Sequence, residues 1–187
     1  MGPAPSGLLR NALGSLAVLA TVAVMAFGFP LLDQAIPAAR PVVPDVAYRV
    51  GGKVTVVPPE GASVDLTRTR PSDDRGTVLF LINGVRLALV VGPYPGTLAE
   101  AAVRLHDKIT NTTGFQVTGA DRTVTTSQGV SGLRGAYNSP GRLGQYAVFV
   151  TGDVSVEVTA NGPEQQLRGL LGQFDASLYS VTFGVVT

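Results

Sequence analysis

Downstream of residue 53 the hydrophobic and polar positions alternate in short runs, the two-residue period of half-buried strands. KVTVV (53–57) alternates, Pro58-Pro59-Glu60-Gly61 makes a turn, and ASVDL (62–66) resumes the alternation. TRTRPSDDRG (67–76) has no apolar period and is expected as an exposed loop. TVLFLI (77–82) and VRLALVV (85–91) flank Asn83-Gly84, a hairpin signal because both central turn positions want positive φ. After Gly92-Pro93-Tyr94-Pro95-Gly96 the period becomes helical. Leu98, Ala102, Leu105 and Ile109 form a stripe, with Arg104, Asp107 and Lys108 off it. Thr97 and Glu100 make a T-x-x-E capping box at its start, and Thr112-Thr113-Gly114 ends it.

Four more extended segments follow: FQVTGADRTVTT (115–126), with a break expected at Gly119, then SGLRGAYN (131–138), QYAVFVT (145–151) and VSVEVTA (154–160). A second helix is predicted from Asn161-Gly162-Pro163, with proline in the first turn, where no N–H is needed. Its stripe is Leu167, Leu171, Phe174 and Leu178, and a cysteine placed at Ser177 is expected to be accessible. SVTFGVV (180–186) reads as a closing strand. The order is ββββ-α-ββββ-α-β. Hairpins dominate, so the pattern predicts an α+β domain over 53–187, a mainly antiparallel sheet covered by two amphipathic helices.

The chain upstream is different. No residue between Arg10 and Asp33 is ionisable, so positions 11–32 form an uncharged run of 22. As a helix this run would reach roughly 33 Å, enough to cross a bilayer core of about 30 Å. It reads as a signal anchor behind a cytoplasmic stub (1–10), with a cleavable signal peptide as the alternative. Arg10 before the span, and Asp33 directly after it, place residues 33–187 outside the cell membrane by the positive-inside tendency. Residues 33–52 hold Pro37, Pro41 and Pro44 and end in Gly51-Gly52, the composition of a semi-rigid spacer. An ordered first strand at Val42-Val43 is the other reading.

Composition narrows the function classes. The 187 residues carry 14 Lys+Arg against 13 Asp+Glu. Setting aside the first 32 residues removes only Arg10, leaving 13 basic and 13 acidic groups, so no positive surplus points to nucleic acid. There is no cysteine, which excludes disulfides, thiol chemistry and lipid attachment through an N-terminal Cys.

The segment VTVVPPEGASVDL resembles the opening of the PsbP-like fold: a strand, a proline-glycine turn and a second strand. TLAEAAVRLHDKI, FQVTG with VTTSQGVSGLRGAYN, QYAVFVTGDVSVEVTANGPEQQL and SVTF continue the same order. Over roughly 53–183 the chain is similar to the tethered PsbP-like lipoproteins of actinobacteria, with a membrane span in place of their lipid-anchoring Cys. Ala62 stands after Gly61 where an aromatic residue is often found. The resemblance implies accessory and binding roles, because this fold is not a reaction class.

Candidate chemistry is sparse. His106 is the single histidine, and its neighbour Asp107 points about 100° away around the helix, so the two make no acid–base pair. Asp73-Asp74 is the one close acidic pair, and Arg70 and Arg75 are expected to neutralise it rather than leave it for a metal. GVSGLRG (129–135) lacks the G-K-[ST] ending of a phosphate loop and reads as a glycine-marked bulge or strand edge. Asn111-Thr112-Thr113 fits a glycosylation triplet but stands where a helix end wants such residues. No catalytic set, cofactor or metal is predicted.

Two functions follow. The first is a non-catalytic, membrane-tethered module that contacts an envelope or membrane complex through Arg68, Arg70, Asp73, Asp74 and Arg75. The second is a carrier holding a lipid or other apolar ligand between sheet and helix.

Overall fold

A computed structural model describes residues 38–184, and these form an antiparallel sheet with a helix on each face. The stub, the apolar run 11–32, residues 33–37 of the expected spacer and the last three residues lie outside the described residues. Among the described residues no helix is long and apolar enough to cross a membrane.

The described strands are β1 (Ala39–Pro41), β2 (Tyr48–Gly51), β3 (Val54–Val56), β4 (Ser63–Asp65), β5 (Arg70–Pro71), β6 (Gly76–Ile82) and β7 (Val85–Pro93). Then come α1 (Leu98–Thr110), β8 (Gln116–Thr125), β9 (Ser131–Ser139), β10 (Arg142–Thr151), β11 (Val154–Gly162), α2 (Glu164–Tyr179) and β12 (Thr182–Phe183). The main sheet runs β1-β4-β6-β7-β11-β10-β9-β8, with β5 also beside β6, while β12-β3-β2 form a small second sheet.

Local chemistry explains the elements that matter for function. Asn83 and Gly84 take φ of 47° and 77°, and the hairpin they close pairs Ile82 with Val85 and runs to Gly76 with Val91. Thr97 and Glu100 complete a reciprocal capping box at the start of α1. Alternation then sorts the side chains. Val85, Leu87, Leu89 and Val91 of β7 are buried in the core shared with α2 and the small sheet, and Arg86, Ala88 and Val90 face the other way. On that second face Ala101, Ala102, Leu105 and Ile109 of α1 pack against Tyr137, Tyr146 and Val148. Because α1 lies against β8, β9 and β10, it leaves the β6–β7 part of its own face uncovered.

Several expectations need correction. From Ala39 onward the proline-rich stretch is part of the fold: β1 pairs with β4, β2 pairs with β3, and Val42 donates to the Ala62 carbonyl at 3.0 Å. Pro41 is tolerated because β1 is an edge strand. The segment 67–76 is not simply a loop, since Arg70 and Pro71 pair with Thr77 and Gly76. At Gly119 β8 is continuous but shifts register between Thr118 and Arg122. On α2, Leu170 rather than Leu171 is buried, because both lie on one wide apolar stripe and the sheet takes the 167–170–174 side. Ser177 is 4% exposed and unsuited to a labelling probe. The closing strand is limited to Thr182 and Phe183 among the described residues.

Candidate functional site

The charged segment predicted as a contact site is held in shape by its own short polar side chains. The carboxylate of Asp65 accepts from Thr67 Oγ1 at 2.6 Å, Thr67 N at 2.9 Å and Arg68 N at 3.1 Å. The Thr67 hydroxyl is the largest cause holding this carboxyl below its usual range; burial opposes it, and the two backbone amides and the Arg68 charge add to the lowering. Thr69 is buried and its hydroxyl accepts from Leu79 N at 3.2 Å, tying the segment to β6. Ser72 closes the next turn, donating its hydroxyl to the Arg75 carbonyl at 2.6 Å.

The expected neutralisation of Asp73-Asp74 by Arg70 and Arg75 does not occur. Asp73 pairs instead with Arg49 of β2 at 2.7 Å, an exposed contact worth little to stability. Arg70 donates to the carbonyl of Thr69 at 2.9 Å. Arg68, Arg70, Asp73, Asp74 and Arg75 are all exposed, and among the described residues none of the three arginines lies within 4.0 Å of a carboxylate.

These arginines border the uncovered part of the sheet. Arg68, Thr77, Leu79, Arg86, Ala88, Phe115 and Tyr137 line one hollow of about 390 Å³. Arg70, Arg75, Thr77, Val90 and Arg104 line a second of about 740 Å³, and Thr77 is common to both. Arg86 and Arg104 are not contact candidates by sequence, because they lie on a strand and on a helix distant in sequence from the charged segment. The alternation along VRLALVV did mark Arg86, Ala88 and Val90 as sharing a face. Asp73 and Asp74 line neither hollow, although Ser72 and Arg75 on either side of them line the second.

A second polar cluster sits under α1. The Tyr146 hydroxyl donates to Asp121 Oδ1 and lies 2.7 Å from His106 Nε2, which is itself 3.2 Å from Asp121 Oδ1. With the phenol hydrogen on Asp121, the hydrogen at His106 Nε2 points to the phenol oxygen. Burial, followed by the adjacent Asp121 carboxylate, pushes the Tyr146 phenol far above its ordinary value. A phenol held neutral in this way is a poor base or nucleophile at physiological pH. His106 is thus a half-buried helix histidine with partners, and Asp107 is exposed and apart from it.

Of the glycines of GVSGLRG, Gly129 precedes β9 at positive φ, Gly132 lies inside a strand paired on both sides, and Gly135 stands opposite the register irregularity of β8, the glycine-marked bulge expected there. β9 pairs with β10 on one side and β8 on the other, with no register shift against β10. A Cβ on Gly132 would sit 2.4 Å from the Phe149 ring, and one on Gly135 would sit 2.2 Å from the Tyr146 hydroxyl oxygen. Both glycines make room for cross-strand rings. Asn111 caps α1 from its backbone, and Thr112 donates to the Lys108 carbonyl at 3.2 Å, the helix-end role expected of them. Among the described residues no three His, Cys, Asp or Glu side chains gather where a metal ion would bind.

No family model matches the sequence, and no curated protein matches it. The fold does have relatives among solved structures. Cyanobacterial PsbP (CyanoP) from Synechocystis sp. PCC 6803 superposes with a TM-score of 0.52 at 12% identity, covering 80% of this chain and 94% of that one. LpqN, involved in cell envelope biogenesis of Mycobacterium tuberculosis, gives a TM-score of 0.47 at 15% identity, with coverage of 77% and 89%. The chain has the PsbP-like fold, as the likeness to CyanoP and the element order agree.

Proposed function

We propose that this chain is a non-catalytic interaction module of the cell envelope, tethered by residues 11–32 and working through the arginine-bordered face of its sheet. One observation carries the reading: a partly apolar sheet face bordered by arginines that have no carboxylate within 4.0 Å among the described residues. Arginine is a favoured interface anchor, and its planar fork is pre-organised to pair a partner's carboxylate. The arginines spread over two hollows that share Thr77 rather than converging on one reacting atom, which suits contact better than chemistry. Between the sheet and α2, at Val56, Leu87, Leu89, Val158 and Leu178, the packing leaves no room for a water molecule.

The test is recovery of protein partners from detergent-solubilised membranes by the full chain. Replacing Arg68 and Arg70 with Ser is expected to reduce that recovery, with a loss of about 2 kcal/mol or more in binding, while the melting temperature stays put. Unchanged recovery removes these two residues from the contact. Lowered melting together with lost recovery marks them as structural.

Topology has its own measurement. Ser127 is exposed, so Ser127→Cys in this cysteine-free chain is expected to react with a membrane-impermeant thiol reagent in intact cells. Labelling only after lysis would place the domain in the cytoplasm and end the envelope reading.

A further inference from the structure

The bare part of the sheet has the dimensions and the charge of a helix-docking trough. Its floor is β6 and β7, where Val90 is 39% exposed and Ala88 is half-buried, while Leu79 beside them is already buried at 7% exposure. Arg68, Arg70 and Arg75 form one bank. Arg104 of α1 forms the other, its guanidinium 5.6 Å from the centre of the Tyr94 ring, and Arg86 rises from the floor. On the same face Glu157 of β11 is already paired with Lys108 of α1. No carboxylate lines either hollow, so the charged side chains bordering the trough are all arginines, although the chain downstream of residue 32 is neutral.

Adjacent strands lie about 4.8 Å apart, so two strands and their margins offer a strip roughly 10 Å wide, about the diameter of an α-helix. α1 already shows how a helix packs on this face, through small residues such as Ala101 and Ala102. The floor beside it is similarly small and mixed, with Thr77 and Thr159 between the apolar side chains. That surface suits a short apolar stripe better than an acyl chain, which would lie against threonines along its length. The fork of a guanidinium matches carboxylates in a two-point geometry.

We propose that the trough docks an acidic amphipathic helix of a partner protein, lying beside α1 on β6 and β7, with glutamates or aspartates reaching the arginines of both banks. This rests on the reading of the chain as an interaction module. It adds the chemistry of the partner, and it extends the contact to Arg86 and Arg104.

The test uses the full chain in zwitterionic nanodiscs. The probe is a fluorescent synthetic helix of about 18 residues, long enough to hold helical structure, with a Leu/Ala stripe flanked by Glu. Companion peptides carry Gln or Lys in place of Glu. The Glu peptide is expected to bind in preference to both, and to weaken as salt is raised. Arg86→Glu with Arg104→Glu, and separately Ala88→Trp to fill the floor, are each expected to weaken it at least about tenfold. Arg168→Glu on α2, outside the trough, is expected to leave it unchanged. Thermal melts report whether each variant is folded, and the arginine pair decides the matter if Ala88→Trp is not.

The proposal is overturned if the Glu peptide binds no better than its Gln form. It is also overturned if binding ignores the arginine pair, or if phosphatidylglycerol vesicles bind in a trough-dependent way and the peptide does not. Partners recovered from membranes as well by Arg86→Glu/Arg104→Glu as by the unaltered chain would overturn the trough and leave the module reading standing. Peptide binding with no partner recovered would do the reverse.

Discussion

Replacing Tyr146 with Ala is expected to lower the unfolding free energy by about 3–5 kcal/mol, the range for deleting a large buried aromatic side chain. Tyr146 is fully buried, edge-on to the His106 ring with centroids 5.1 Å apart, and its hydroxyl joins α1 to the register-shifted part of β8 through Asp121. Its loss opens a cavity beneath α1 and removes the bond that Asp121 accepts. The ring also explains why residue 135 is glycine. Gly135→Ala alone is expected to cost about 1–3 kcal/mol, because its Cβ would meet the Tyr146 hydroxyl oxygen at 2.2 Å with Asp121 only 3.0 Å away. In the Tyr146→Ala background the same change has space, so its cost should nearly vanish. Urea denaturation of the four proteins closes this cycle. Additive costs would mean that Gly135 serves something other than the ring.

The parts of this fold that were legible in the sequence are those fixed by neighbours along the chain. Asn83-Gly84 dictated a hairpin, Thr97 and Glu100 dictated a helix start, and the alternation of VRLALVV divided β7 into an inward and an outward set. What lay outward could not be read, because exposure depends on where α1 comes to rest, and its apolar stripe fits any sheet face of similar shape. The charged stretch 67–76 was visible as charge. Its internal neutralisation was a wrong inference: sequence proximity favoured Arg70 and Arg75 for Asp73, whereas Arg49, 24 residues upstream, has the geometry. Arg86 and Arg104 join Arg68, Arg70 and Arg75 only through the β6–β7 hairpin and the turn into α1.

The polar cluster was illegible for a similar reason. Tyr146 is 40 residues from His106 and 25 from Asp121, so no spacing rule connects them. The one available clue was His106 on a helix otherwise predicted to bury apolar residues. Proline density misled in the opposite direction. It forbids a central strand but not an edge, and Pro41 occupies an edge.

Alkaline pH should expose the same cluster thermodynamically. Tyr146 and Tyr137 both hold their protons more tightly in the fold than a free phenol does. In each case burial is the largest cause; for Tyr146 the Asp121 carboxylate adds to it, and for Tyr137 the nearby Asn161 and Arg142 oppose it. Unfolded tyrosines lose their protons near pH 10, so above that value the folded state binds more protons than the unfolded one. Stability is then flat below about pH 10 and falls as pH rises beyond it. The full contribution is present below the unfolded value and is lost toward the raised folded one. Urea midpoints measured from pH 8 to pH 11.5 should decline from about pH 10 onward, with Tyr146→Phe starting lower and declining less steeply. Tyr137→Phe should flatten the curve to a smaller degree, since its shift is the weaker. If Tyr146→Phe followed the same alkaline slope as the unaltered protein, the phenol would have to be titrating freely. Its place between His106 and Asp121 would then be a packing contact without electrostatic weight.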